Sequence, residues 1–232
     1  MSKKGAIISS KDSNIVTKIR SLNPGWYYTW GTTAVLGLED IDFIPMCWGA
    51  KTVSKLGAHV PVLLGFNEPD RPDQSNLTPE YANSLWSNLT DNSDRIGSPA
   101  IAANASKSGC WLDTFASYEP APKMDFICMH WYAPPNADSF LKQIDAVYAK
   151  YKKPIWVTEF AVADWAGKYP GGYDISLVTK FMQDACKGLE ERAYVERYTW
   201  KTRVLSDVNL GTSSLFNDDG TLTPLGHMYS LM

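Results

Sequence analysis

A chain of 232 residues can bury one sizeable core and sits near the lower size limit of single-domain α/β barrels, so one domain spanning residues 1–232 is expected. Its 22 basic and 25 acidic residues leave a formal net charge of −3, which gives neither nucleic acid nor anionic lipid an electrostatic claim as partner. Nine Trp and twelve Tyr suit a neutral ligand instead, because aromatic faces pack on the C–H faces of sugars as readily as they fill a core.

No apolar run approaches the ~20 residues that cross a bilayer. The segment Met1–Gly5 is polar and basic and lacks the apolar stretch of a signal peptide. Three N-x-S/T triplets, beginning at Asn76, Asn88 and Asn104, are compatible with a secreted or cell-wall protein whose leader is not part of this chain. A monomer is the default expectation.

In chain order, short apolar runs alternate with polar, often helix-patterned stretches, the signature of a parallel α/β protein. Strands are predicted at Gly5–Ser9, Trp26–Trp30, Phe43–Trp48, Val62–Asn67, Ile96–Ala102, Phe126–His130, Ile155–Phe160 and Val195–Thr199. After the fourth strand, Thr78-Pro79 supplies an N-cap and first helical residue for a helix carrying Tyr81, Leu85, Trp86 and Leu89. After the sixth, Phe140, Ile144, Val147, Tyr148 and Tyr151 share one helical face. After the seventh, Val178, Phe181, Met182, Ala185 and Leu189 do the same. The helices after the second, third and fifth strands look short, notably around Lys51–Leu56 and Trp111–Tyr118. These elements predict a compact (β/α)8 barrel with some short or missing helices. A doubly wound open sheet is the rival, but Gly5–Asp12 offers no Gly-rich phosphate turn. Of the cysteines, Cys47 and Cys128 read as buried free thiols, and a Cys110–Cys186 bridge stays open.

In a parallel barrel the active site lies at the carboxyl ends of the strands, so a polar residue closing an apolar run is a catalytic candidate. Two such endings contain Glu: Val62-Leu-Leu-Gly-Phe-Asn-Glu-Pro-Asp70, with Asn67 and Glu68, and Ile155-Trp-Val-Thr-Glu-Phe-Ala161, with Glu159. Both would face one cleft. Cleaving a glycosidic bond needs a proton donor and a second carboxylate that supports an oxocarbenium-like transition state, which two glutamates supply without metal or cofactor. A lone Glu after a strand reads as a surface or capping carboxylate; two in these contexts do not.

Asn-Glu-Pro ending the fourth strand and Thr-Glu-Phe in the seventh resemble the acid/base and nucleophile signatures of clan A glycoside hydrolases. Within that clan, Trp26-Tyr-Tyr-Thr-Trp30, Phe43-Ile-Pro-Met-Cys-Trp48, Leu64-Gly-Phe-Asn-Glu-Pro-Asp70 and Trp156-Val-Thr-Glu-Phe160 resemble glycoside hydrolase family 128, which includes fungal alkali-sensitive linkage proteins. The resemblance runs from about Trp26 to the C-terminus. It implies a retaining β-1,3-glucanase, endo or exo, with Glu68 as acid/base, Glu159 as nucleophile and Asn67 on the sugar 2-hydroxyl. Spacing and composition by themselves do not select the β-1,3 linkage. A transglycosylase or a non-catalytic β-glucan-binding wall protein are the alternatives, and both retained glutamates favour an enzyme.

Trp30 and Trp48 close the second and third strands, and Trp200 follows the eighth, so all three are candidate sugar platforms, with core packing as the plain alternative. Trp156 reads as core. His130 and Tyr132, at the end of the sixth strand, stand where clan members orient the nucleophile, and Trp131 is open between cleft and core. Trp165, in the aromatic and Gly/Pro-rich loop Asp164–Tyr173, is a candidate cleft wall. Asp70, Arg71 and Asp73 either tune Glu68 or cap the next segment.

Overall fold

The computed structural model describes residues 2–232. Eight parallel strands form, β1 (Lys4–Ile7), β2 (Trp26–Tyr28), β3 (Asp42–Phe43), β4 (Val60–Leu63), β5 (Ser93–Ile96), β6 (Ile127–Ala133), β7 (Ile155–Val162) and β8 (Val195–Trp200). Helices α1 (Ile15–Ser21), α2 (Ala50–Val53), α3 (Pro79–Thr90), α4 (Trp111–Ala116), α5 (Ala137–Tyr151), α6 (Ile175–Glu191) and α7 (Pro224–Ser230) follow them on the outside, with none between β2 and β3. The reduced helices fall where the sequence lacks periodicity, at α2 and α4. Among the described residues no helix is long and apolar enough to cross a membrane.

The strands run in two continuous sets, β3-β2-β1-β8-β7-β6 and β4-β5. Two seams stitch these into a ring. At the first, Cys47 N donates to Leu64 O at 3.0 Å and Leu64 N to Pro45 O at 2.9 Å; at the second, Asp125 N donates to Ile96 O at 2.7 Å and Ser98 N to Phe126 O at 2.9 Å. The fold is therefore the expected (β/α)8 barrel. Strands three and five lie N-terminal to the expected runs and share only Phe43 and Ile96 with them; beyond these residues Pro45 and Pro99 bring no ladder donor, and isolated bridges, Met46–Leu64 and Ile101–Met129, stand in place of regular strand.

Each long helix begins on a side-chain cap. Thr78 Oγ1 accepts from Tyr81 N at 3.1 Å, and the Asn136 side chain accepts from Ser139 N at 2.9 Å. Between these helices and the sheet lies the larger core, including Phe140, Ile144, Val178, Phe181 and Leu189 from the predicted helical faces.

A second, aromatic core fills the barrel interior. Trp26, Tyr28, Met46, Leu64, Phe126, Cys128 and Trp156 are packed together, with the Phe126 and Trp156 rings stacked at 4.2 Å. Two strand glycines make room for it: a Cβ on Gly5 would meet the Trp26 indole at 2.4 Å, and one on Gly97 would meet Phe126 at 2.5 Å and Cys128 Sγ at 2.6 Å. Trp156 is core, as expected, but inside the barrel. All four cysteines are unpaired: Cys110 Sγ lies 3.9 Å from the Tyr151 hydroxyl on α5's side, while Cys186 is buried on α6, so the bridge left open between them is not formed.

Because that glycine is wedged against a ring and a sulfur, Gly97→Ala is expected to lower stability by about 1–3 kcal/mol. The check is thermal unfolding, with Tm falling by roughly 2–4 °C per kcal/mol; an unchanged Tm would contradict the interior packing.

Candidate active site

The eight strand ends converge on a cleft of about 800 Å³. Trp30, Trp48, Asn67, Glu68, Tyr132, Glu159 and Trp165 all line it, as the sequence predicts. Glu68 stands just beyond β4 in the left-handed region (φ 41°), and Trp30 beyond β2 likewise (φ 61°). Such backbone is disfavoured for residues with a Cβ and is held only where neighbours over-determine it. At Glu68 the holding bonds run from its own N to Ala100 O at 2.7 Å and from Arg71 N to its carbonyl at 3.1 Å. Asp70 accepts from Ala102 N at 2.9 Å and Ala103 N at 2.8 Å, so it caps the loop after β5. Arg71 and Asp73 form a rim ion pair of 3.0 Å.

Glu159 faces inward because of a β-bulge. On β7, Trp156 points into the barrel interior and Val157 to the outer core; strict alternation would aim Thr158 inward next. The β6–β7 register shifts there, with Met129 opposite Val157 but His130 opposite Glu159. The extra residue, Thr158, turns Glu159 into the cleft.

Four groups then hold the Glu159 carboxylate. Trp30 Nε1 donates to Oε1 at 2.7 Å, Tyr132 Oη donates to Oε2, Tyr28 Oη lies 3.4 Å from Oε1, and His130 Nε2 lies 3.7 Å from the same oxygen. Burial pushes the carboxyl pKa up, but the charges of His130 and Lys201 and the hydrogen bonds from Tyr132 and Trp30 outweigh it, so Glu159 sits below the ordinary carboxylate range. Burial drives the Tyr132 and Tyr28 phenols well above theirs, and the adjacent Glu159 charge adds to the effect. Both therefore stay protonated donors.

His130 takes the place beside the nucleophile, as expected of an orienting group, but not one among the sugar-binding residues. Its side chain is 0% exposed and it sits behind the carboxylates, with Nδ1 2.7 Å from Glu68 Oε1. It touches both glutamates instead of the cleft space. Trp200 is a second correction. It is 1% exposed and packs on Phe160 at 5.1 Å in the outer core, with Nε1 bonded to Ser213 O at 2.8 Å. Strand alternation explains the difference: Tyr198 and Trp200 face the helices, so Arg197, Thr199 and Lys201 face inward. Trp131 also belongs to the outer core, stacked on Phe181 at 5.0 Å.

Lys201 is the residue the sequence reading missed. Its Nζ lies 3.8 Å from the Trp30 ring centroid and it lines the cleft. Burial lowers its pKa while the Glu159 charge opposes that. The positional rule that selected the glutamates, a polar residue closing a strand, applies to it equally. Trp165 is 62% exposed on the cleft lip, anchored by its Nε1 to Tyr132 O at 3.0 Å, and Asp164 pins its loop by accepting from Tyr169 N at 2.7 Å.

The sequence matches the family described as Glycosyl hydrolase catalytic core over residues 5–229. It is 30% identical to Alkali-sensitive linkage protein 1 of Schizosaccharomyces pombe over 88% of this chain, and the chain spans 39% of that relative's length. Among solved structures, a glycoside hydrolase family 128 (subgroup I) endo-β-1,3-glucanase from Amycolatopsis mediterranei, in complex with laminaritriose, has a TM-score of 0.85 at 30% identity, covering 100% of this chain and 99% of that one. A subgroup V exo-β-1,3-glucanase from Cryptococcus neoformans has a TM-score of 0.80 at 27% identity, covering 99% and 98%.

Since Tyr132 supplies one of the bonds that keep Glu159 ionised, Tyr132→Phe is expected to raise the Glu159 pKa. Carboxyl ¹³C NMR titration measures this directly. The sign also sets the stability: with its folded value below the unfolded one, ionised Glu159 favours the fold above the ordinary carboxylate range, and that contribution fades as pH falls through the depressed value. Tyr132→Phe should move the loss to higher pH, and an unmoved titration would contradict the hydrogen bond's role.

Proposed function

The chain belongs to the glycosyl hydrolase catalytic core family and, within it, to glycoside hydrolase family 128, and on that premise we propose that it cleaves β-1,3-glucan with retention of anomeric configuration. The observation that carries the reading is the pair of buried carboxylates, Glu68 just beyond strand four and Glu159 within strand seven, facing one open cleft.

Glu68 protonates the leaving oxygen while Glu159 attacks the anomeric carbon, and Glu68 then takes a proton from the water that hydrolyses the glycosyl ester. Glu159 suits the nucleophile's part because its environment holds it ionised, and because bonds on both of its oxygens fix the attacking geometry. Glu68 suits the acid's part by default of those bonds: among the described residues its side chain has a single partner, His130, which leaves an oxygen free for the substrate. Retention requires the two carboxyl groups to stand ~5–5.5 Å apart. Asn67, which lines the cleft with Nδ2 bonded to Gln74 at 3.3 Å and, among the described residues, no partner on Oδ1, binds the sugar 2-hydroxyl in this reading. Trp48 and Trp165 on the cleft wall offer faces for further glucosyl units. The proposed setting is secreted or cell-wall associated, a reading the three N-x-S/T triplets support.

Glu159→Gln is expected to abolish turnover of linear β-1,3-glucan while leaving binding largely intact. Glu68→Gln should slow an unactivated glucan by about 10²–10⁴-fold and an aryl glycoside with a good leaving group far less. Sizing products from β-1,3-, β-1,4- and β-1,6-linked glucans gives the linkage, with a ladder marking endo action and one small product marking exo action. Wild-type turnover in either variant would overturn the roles, and glucan binding without any product would favour a binding protein.

A further inference from the structure

His130 lies between two carboxylates with a ring nitrogen toward each, Nδ1 2.7 Å from Glu68 and Nε2 3.7 Å from Glu159. A neutral imidazole has one N–H and one bare lone pair. With both carboxylates ionised, either neutral tautomer would turn a lone pair toward a carboxylate oxygen. The imidazolium turns an N–H toward each, and the same proton moved across the 2.7 Å contact to Glu68 leaves a neutral ring that accepts at Nδ1 and still presents an N–H to Glu159 at Nε2. Among the described residues Nε2 is buried without a hydrogen-bond partner, so Glu159 at 3.7 Å is its ionic neighbour on that side.

We infer that the proton delivered by the general acid is stored on His130 in the free enzyme and reaches Glu68 through the Nδ1–Oε1 contact. This rests on the glycosidase reading above. In the resting site His130 carries the proton that Glu68 will deliver, and Glu159 is an anion. As Glu159 forms its bond to the anomeric carbon it loses its charge, and the imidazolium loses the partner at Nε2. The Nδ1–H bond breaks, Glu68 takes the proton and passes it to the departing oxygen as the glycosidic C–O bond breaks. His130 is then neutral and Glu68 an anion, ready to deprotonate water. When the ester is hydrolysed, Glu159 leaves as a carboxylate, the proton from water passes through Glu68 back to Nδ1, and the resting state returns. Proton and charge move in antiphase across one ring.

The other charged or titratable groups facing this site fit that cycle. Lys201, arriving from the end of β8, opposes a cationic His130, while Glu159 and Glu68 favour it; Tyr28 from β2 and Tyr132 from β6 stay neutral, and the buried Cys128 thiol on β6 is pushed well up by burial. Burial itself works against the charged ring, yet the two carboxylates prevail and leave His130 above its ordinary value.

The chain has three histidines, so imidazole ¹⁵N NMR can assign this one with a His130→Asn control. The expected result is an imidazolium at pH 7 in the wild type, titrating at lower pH in Glu159→Gln. A neutral His130 at pH 7 would overturn the inference, whether or not the protein turns over glucan. In kinetics, His130→Asn keeps a donor toward Glu68 but cannot store a proton. Hydrolysis of unactivated β-1,3-glucan should fall at least tenfold and by a larger factor than that of an activated aryl glycoside, and the alkaline limb of kcat/KM should move toward acid pH. Equal losses on both substrates with an unmoved limb would mark a merely structural histidine. Absence of wild-type hydrolysis would instead count against the glycosidase reading itself, with the NMR result still standing.

Discussion

Two carboxylates buried side by side repel one another and each loses its hydration, so a site of this kind exists only where the protein supplies opposing charge and donors. Here one imidazole contacts both, and Lys201, Trp30 and Tyr132 complete the compensation around Glu159. At about 4 Å and an effective dielectric of 20, a single opposing charge contributes roughly 4 kcal/mol, enough to reverse the direction in which burial alone would shift a carboxyl group. The asymmetry between the two glutamates follows from this. Glu159 is bonded on both oxygens and held ionised, whereas the Glu68 side chain, among the described residues, is tied to the His130 ring alone.

The barrel is shaped around that arrangement. Its interior is filled with large aromatics, Trp26, Tyr28, Phe126 and Trp156, which exclude water below the carboxylates and leave their upper sides to the cleft. Gly5 and Gly97 create the space for those rings. The irregular features gather at the same end: the bulge at Thr158, the left-handed Glu68 and Trp30, and the bridged seams beside Pro45 and Pro99. Bulges and disfavoured backbone are stored where a side chain must be aimed, and here each aims a residue that lines the cleft.

Much of this was legible in the residues. The cap at Thr78 and the apolar stripes from Phe140 and Val178 are local signals, and the structure follows them. Glu68 and Glu159 were legible for a positional reason, as polar residues ending apolar runs at the functional end of a parallel barrel. What was not legible depends on strand phase. A single inserted residue decides that Glu159, not Thr158, faces inward, and no composition or period betrays it. On β8 the same two-residue alternation separates Trp200, which belongs to the core, from Lys201, which belongs to the site; an aromatic residue drew the sugar-platform reading and the charged neighbour was passed over. His130 was found as a site residue, but its contact with Glu68 spans 62 residues of sequence and emerges only when strands four and six are brought together.

The most direct test of the paired-carboxylate account is the configuration of the first product. Proton NMR of a β-1,3-glucan oligosaccharide digest, read before mutarotation, should show the β-anomer accumulating first, as a covalent intermediate on Glu159 requires. Initial release of the α-anomer would mean that water, and not Glu159, attacks the anomeric carbon, and would contradict the roles assigned to both glutamates.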